Sequence, residues 1–186
     1  MIFHQIADNG AVALVLGEVR GKMLASEAEA LAFMAKSGCK LGRVVELGGW
    51  AGFSACVMAL AMREIGCEEA VTTVDNFSLG TTADQFLANV RKAAANVRLT
   101  VGDSAEAAES WRDGSIGLLF IDADHSYEGV KRDFLAWEKF VPRLGLIAYH
   151  DANRACVHRV VVESIEKGFR ELVSVGGLTI CQRSIG

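Results

Sequence analysis

Two runs in the second half of the chain concentrate groups that can hold a metal ion or move a proton. "FIDADHSYEG" (120–129) carries Asp122, Asp124 and His125, and "AYHDAN" (148–153) carries His150 and Asp151. Carboxylates and imidazoles on one rim would suit a divalent cation or general acid–base work. A plainer reading has Asp124 and Ser126 capping the next helix, with His125 solvated. That reading is adopted for Asp124, while His125 stays open. Asp122, His150 and Asp151 each follow an apolar run directly, where a buried strand would deliver them to a cleft.

A third stretch, "VVELGGWAGFS" (44–54), sets Gly48, Gly49 and Gly52 between an apolar run and a helical one. Glycines there permit positive φ and close approach of a ligand to the backbone, and the following helix presents free amides and its positive dipole end. The alternative is a tight strand-to-helix turn without a ligand. Asp75 ends the next apolar run, 23 residues after Gly52, where a carboxylate can accept both hydroxyls of a ribose. "VGDSAE" (101–106) places Asp103 and Ser104 at a helix start, with Asp103 either facing an adenine edge or only capping the helix.

The elements that must position these residues are legible as well. "RVVEL" (43–47), "AVTTVD" (70–75), "VRLTV" (97–101), "IGLLFID" (116–122) and "LGLIAYHD" (144–151) are apolar runs without polar alternation, as in parallel strands covered on both faces. Between them lie helical segments. "SEAEALAFMAK" (26–36) opens on a capping box of Ser26 and Glu29, and "TADQFLANVRKAA" repeats it with Thr82 and Gln85. Tyr127, Val130, Phe134, Trp137 and Val141 share one helical face. The single proline, Pro142, helps to end that helix.

Strands alternating with helices predict an α/β fold of right-handed βαβ units with helices on both faces. At the end of the chain, "RELVSV", Gly176-Gly177 and "LTICQ" read as a hairpin, so one antiparallel strand is expected in an otherwise parallel sheet. Ligands of such sheets bind beyond the carboxyl ends of the strands, where the strand order reverses.

Bulk properties narrow the function. The 186 residues fit one domain, with residues 1–40 as an N-terminal helical segment and 41–186 as the core. A net charge of −4 leaves no basic field for nucleic acid. The cluster Lys131-Arg132 is followed by Asp133 and reads as a solvated helix face. Five cysteines, at 39, 56, 67, 156 and 181, form no CxxC pair and predict reduced thiols in a cytoplasmic protein. "MIFHQIADNGAVALVLGEVR" has no basic leader, and its apolar stretch is too short to span a bilayer, so no membrane association is expected.

Taken in order, "VVELGGWAGFS", "VTTVD", "LTVGDSAE", "IGLLFIDADHSYEGVKRDFLAW" and "LIAYHDA" resemble the class I S-adenosylmethionine-dependent methyltransferases, in particular a small bacterial branch with "FIDxDHSYEG" and "HD" motifs. The resemblance covers roughly residues 20–182 and implies a Rossmann-like seven-stranded sheet with the last strand antiparallel. It implies S-adenosylmethionine as cofactor and a small-molecule acceptor, most simply methylated on oxygen. Glu46, Gly48, Gly49, Trp50, Gly52, Phe53 and Ser54 would cradle the methionine part. Asp75 would bind the ribose hydroxyls, Asp103 and Ser104 the adenine side, Asp122 would lie between cofactor and acceptor, and Asn76 and His125 would also belong to the cofactor site. In metal-dependent relatives Asp122 is a ligand, which here suggests Asp122, His150 and Asp151 around a cation such as Mg²⁺. Asp122 and His150 are the expected catalytic residues, with either His150, whose ordinary pKa lies near neutrality, or Asp122 as the base.

Short of insertions, the chain would use an open cleft, its N-terminal segment or a second copy in a homo-oligomer to complete the acceptor site. Three rival readings remain. An NAD-dependent enzyme expects G-x-G-x-x-G, whereas Trp50 occupies the place of the second glycine and would crowd a pyrophosphate. The others are a metal-dependent hydroxylase-like activity on the same scaffold and a non-catalytic cofactor-binding module.

Overall fold

The computed structural model describes residues 10–185. Their order is α1 (Gly10–Glu18), α2 (Ala25–Gly38), β1 (Arg43–Leu47), α3 (Phe53–Glu64), β2 (Val71–Asp75), α4 (Ala83–Lys92) and β3 (Val97–Val101). Then come α5 (Ser104–Ser110), β4 (Ile116–Ile121), α6 (Tyr127–Trp137), β5 (Leu146–Tyr149), α7 (Ala155–Glu166), β6 (Phe169–Val175) and β7 (Leu178–Arg183). All seven strands join one sheet in the order β3-β2-β1-β4-β5-β7-β6, in which β7 alone runs opposite to the other six. The glycine pair closes the β6–β7 hairpin as expected.

Alternation along the central strands divides the core between two faces. Val45, Leu47, Leu119, Ile121 and Ile147 pack with Val130, Phe134, Trp137 and Val160 under α5, α6 and α7. Val44, Leu118, Phe120 and Ala148 turn the other way, against Leu31 of α2 and Met58 and Met62 of α3. The expectation of strands covered on both faces fails at one edge, where Arg98, Thr100 and Val101 of β3 are exposed, and the hairpin strand β6 at the other edge is also largely exposed. A sheet edge has a neighbour on one side only, so burial there is not enforced.

Local capping agrees with the sequence at two helices and departs at one. The Thr82 side chain accepts from the Gln85 amide while Gln85 accepts from the Thr82 amide, closing the predicted box at α4. Ser126 caps α6 by accepting from the Gly129 amide. At α2, however, the helix begins one residue before Ser26, and Glu27, not Glu29, accepts from the Leu24 amide. Glu27 is fixed there by a second bond, from the Gly177 amide in the hairpin.

The N-terminal segment also holds more than the single expected helix. In α1 and just beyond it, Val12, Val15 and Val19 fall at offsets of three and seven and are buried with Ala55, Val57 and Leu60.

Candidate functional site

The site lies at the carboxyl ends of β1, β2, β4 and β5, where the strand order reverses between β1 and β4. The sheet ladder runs one bond past the strands. The Asp122 amide donates to the Leu47 carbonyl at 2.8 Å, the His150 amide to Ile121 at 3.1 Å and the Gly48 amide to Val74 at 2.9 Å. These bonds set Gly48, Asp122 and His150 side by side without help from their side chains.

Gly48 has φ +90°, and a Cβ there would overlap the Asp122 carbonyl, so the close approach of the two strand ends requires glycine. Trp50 takes a left-handed φ of 43°, a cost met by Asp75. One oxygen of the Asp75 carboxylate accepts from the Gly49 and Trp50 amides, each at 2.7 Å, and the other accepts from the Phe77 amide at 2.6 Å. The residue expected to bind ribose therefore also clamps the glycine turn, with lone-pair capacity left on the second oxygen.

Glu46 lies under the same turn with no exposure. Ser54 and Thr73 donate to its carboxylate. Burial pushes its pKa up to about 8, against the pull of those two bonds. Expected as a cofactor ligand, Glu46 does not reach the cleft wall and touches it only through Ser54.

Asp103 caps α5, accepting from the amides of Ala105 and Glu106, and pairs with Arg132 at 3.1 Å. Capping and cleft exposure coexist, because the carboxylate also lines the cavity. Ser104 donates to buried Asp133. Asn76 accepts from the Ser78 amide and faces the same cavity. Asp124 accepts from the Ser126 amide and hydroxyl, its expected capping role.

The acid–histidine group is more tightly knit than the sequence suggested. His150 Nδ1 lies 3.0 Å from Asp122 and its Nε2 lies 3.4 Å from Glu27. His125 Nε2 sits 3.5 Å from Asp122 and 2.8 Å from Asp151, and Arg154 reaches Asp151 at 3.2 Å. Burial alone would depress His150, but the hydrogen bond to Asp122 and the charges of Asp122, Asp151 and Glu27 outweigh it, pushing the pKa up to about 9. Burial likewise works to raise Asp122, yet hydrogen bonds from His125 and His150 hold its carboxyl below the usual range. The hydrogen bond to Asp122 raises His125. His150 is thus a cation at neutral pH and not the near-neutral base expected.

The donor atoms of Asp122, His125 and His150 lie within 4.8 Å of one another. They form a group that could hold a metal ion, which includes His125 and not Asp151, whose carboxylate is engaged by His125 and Arg154. Glu27 carries no signal of this role in the sequence, since its partners are 123 and 150 residues away and "SEAEA" marks only a helix start.

Two joined lobes open above these groups. One, about 360 Å³, is walled by Asp75, Asn76, Asp103, Ser104 and Arg132. The other, about 400 Å³, is walled by Lys22, Met23, Phe53, Ser54, His150 and Arg154. Gly48, Trp50, Leu79, Asp122 and His125 belong to both. Every expected site residue except Glu46 and Gly52 therefore lines a lobe. Gly52, at φ +86°, serves by starting α3.

Known proteins carry the same architecture. The cofactor-bound protein Rv0187 from MTB superposes with a TM-score of 0.73 at 19% identity, over 96% of this chain and 92% of that one. The O-methyltransferase from Bacillus cereus in complex with SAH gives 0.71 at 17%, over 96% and 92%. The SAH-bound Podospora anserina methyltransferase PaMTH1 gives 0.69 at 13%, over 96% and 89%. At such identities the likeness is one of fold. The sequence itself matches the family model described as a methyltransferase domain over residues 45–152, which runs from β1 through the glycine turn, Asp75 and Asp122 to His150, and on that match the chain belongs to this methyltransferase domain family.

Proposed function

We propose that this chain transfers the methyl group of S-adenosylmethionine to an oxygen of a small molecule. The observation that carries the reading is the pair of lobes meeting over Gly48, Trp50 and Asp122 at the reversal of strand order. Asp75 and Asp103 offer acceptors to ribose hydroxyls and an adenine amino group in one lobe. The solved neighbours from Bacillus cereus and Podospora anserina hold SAH, the product of that donor, which supports the reading. Trp50 stands where a dinucleotide turn needs glycine, which disfavours the NAD reading.

Methyl transfer breaks the sulfur–carbon bond, whose electron pair stays on sulfur, and forms a carbon–oxygen bond as the acceptor loses its proton. Positioning supplies much of the acceleration. Asp122 and His150 form the acid–base pair: Asp122 is ionised, and His150 takes the acceptor's proton only after losing its own. With a divalent cation, Asp122, His125 and His150 would instead be its ligands, and His150 would no longer serve as the base. Two imidazoles and a carboxylate suit zinc or iron better than the expected Mg²⁺, which prefers oxygen donors. Such a cation lowers the pKa of a coordinated hydroxyl when bound.

The acceptor is a small molecule, not nucleic acid, given the net charge of −4. Among the described residues no helix is long and apolar enough to cross a membrane. All five cysteines are free, which supports a reducing, cytoplasmic setting. The test is transfer of label from methyl-labelled donor to a panel of phenols, sugars and amines, with and without EDTA. Labelled methyl ethers are expected; no labelled product from any acceptor would leave only a cofactor-binding module.

A further inference from the structure

The two lobes differ in charge. Asp122 and His125 line both; beyond them three carboxylates, Asp75, Asp103 and Asp124, wall the first against one arginine, Arg132. The second has Lys22 and Arg154, while its carboxylates Asp122 and Asp151 are already occupied by His150, His125 and Arg154. Lys22 has no carboxylate within ion-pairing distance among the described residues. Its ammonium rests 4.6 Å from the centroid of the Trp50 ring, and the Arg20 guanidinium lies 5.5 Å from the same centroid. Lys22 is exposed and Trp50 half-buried; an exposed cation over a ring is held by only about 0.5–1 kcal/mol and keeps its donors for another partner. Lys22 and Met23 come from the short link between α1 and α2, so this segment forms the outer wall of the lobe beside His150. Met23 and Phe53 add apolar wall next to the two cations.

We infer that the methyl acceptor is an anion: a small hydroxylated molecule whose carboxylate or phosphate is bound by Lys22, with Arg20 and Arg154 adding to the field. Its hydroxyl-bearing body packs against Met23 and Phe53. The first lobe, rich in carboxylates, suits the hydroxyl-bearing nucleoside of the donor; the cations of the second attract an anion. The inference rests on the methyl-transfer reading, and the rival occupant of the cations is the carboxylate of the donor itself.

Calorimetric titration separates these cases. S-adenosylhomocysteine is titrated into the wild type and into Lys22→Glu, whose exposed position should leave the melting temperature unchanged. Each protein, saturated with that product, is then titrated with 3,4-dihydroxybenzoate, 3,4-dihydroxybenzyl phosphate and the neutral 3,4-dihydroxybenzamide. One anion or both should bind the wild type at least about 10-fold more tightly than the amide, and the variant should lose that preference while holding S-adenosylhomocysteine within about twofold. The better anion distinguishes a carboxylate from a phosphate acceptor. The inference is overturned if the amide binds as well as both anions, if neither anion binds at millimolar concentration, or if Lys22→Glu weakens S-adenosylhomocysteine as much as the anion. Failure of the wild type to bind S-adenosylhomocysteine overturns the transfer reading, and the inference with it.

Discussion

Asp75→Asn removes one charge and replaces one oxygen by an NH₂ group at a point where three backbone amides converge. The carboxylate accepts all three, two on one oxygen and one on the other. The best placement of the asparagine keeps its oxygen toward Gly49 and Trp50, which turns the NH₂ against the Phe77 amide. One hydrogen bond to a charged acceptor is lost, two become neutral, and a donor faces a donor. Bonds to charged groups contribute roughly 1.5–3 kcal/mol and neutral ones about 1. The net loss is then about 2–4 kcal/mol. For a chain of this size that corresponds to a fall in melting temperature of roughly 4–16 °C. Because Trp50 holds its left-handed conformation through the same carboxylate, affinity for S-adenosylhomocysteine should fall with stability, by about 10-fold or more. Thermal unfolding and titration on the same preparation read both quantities. A variant within about 1 °C of the wild type would refute the clamp, and one that melts lower but binds normally would refute its link to the cofactor.

Substitutions elsewhere isolate single interactions. Gly48→Ala should cost about 3 kcal/mol or more by urea unfolding, whereas Gly168→Ala, at the same φ of +90° but with open space beyond, should cost only the left-handed strain of about 1–2 kcal/mol; equal costs would deny the close approach to Asp122. Glu46 is raised from 4.5 to about 8, so the folded chain holds its proton where the unfolded chain has released it, and stability falls as pH rises across that window. At about 1.4 kcal/mol per unit the penalty is at most about 5 kcal/mol, and Glu46→Gln should be favoured over the wild type at pH 8 relative to pH 5; parallel behaviour at both pH values would contradict it. The Leu24 and Gly177 amides donate to different oxygens of Glu27, so Glu27→Gln keeps only one of these bonds and weakens the hold on His150; kcat should drop on the order of 10-fold with donor affinity unchanged, as for other outer partners of site histidines. A normal kcat would remove Glu27 from the site.

Elements whose signals are local were legible in the sequence. The bounds of β1 and β3 coincide with the apolar runs, and the hairpin is set by Gly176-Gly177, because a strand core and a two-residue turn are each specified by adjacent residues. Helix α1 was not legible, since "GAVALVLGE" is apolar nearly all round and shows no face. The roles of Glu27, Glu46 and His150 depend on partners far along the chain. His150 is a near-neutral imidazole in any local reading and becomes a cation only where carboxylates from α2, β4 and its own turn converge. His125 stayed open in the sequence for the same reason, as its partner Asp151 meets it only when β4 and β5 pair.

The expectations for binding and turnover assume that the donor lies across both lobes, with its reactive sulfur between Asp122 and the acceptor side. A crystal structure of the chain with S-adenosylhomocysteine decides the point. Ribose hydroxyls should sit on Asp75, the adenine beside Asp103 and Ser104, and the sulfur near Gly48 and Asp122 facing His150. Adenosine in the lobe of Lys22 and Arg154, or a ligand-free cleft at saturating product, would contradict that placement.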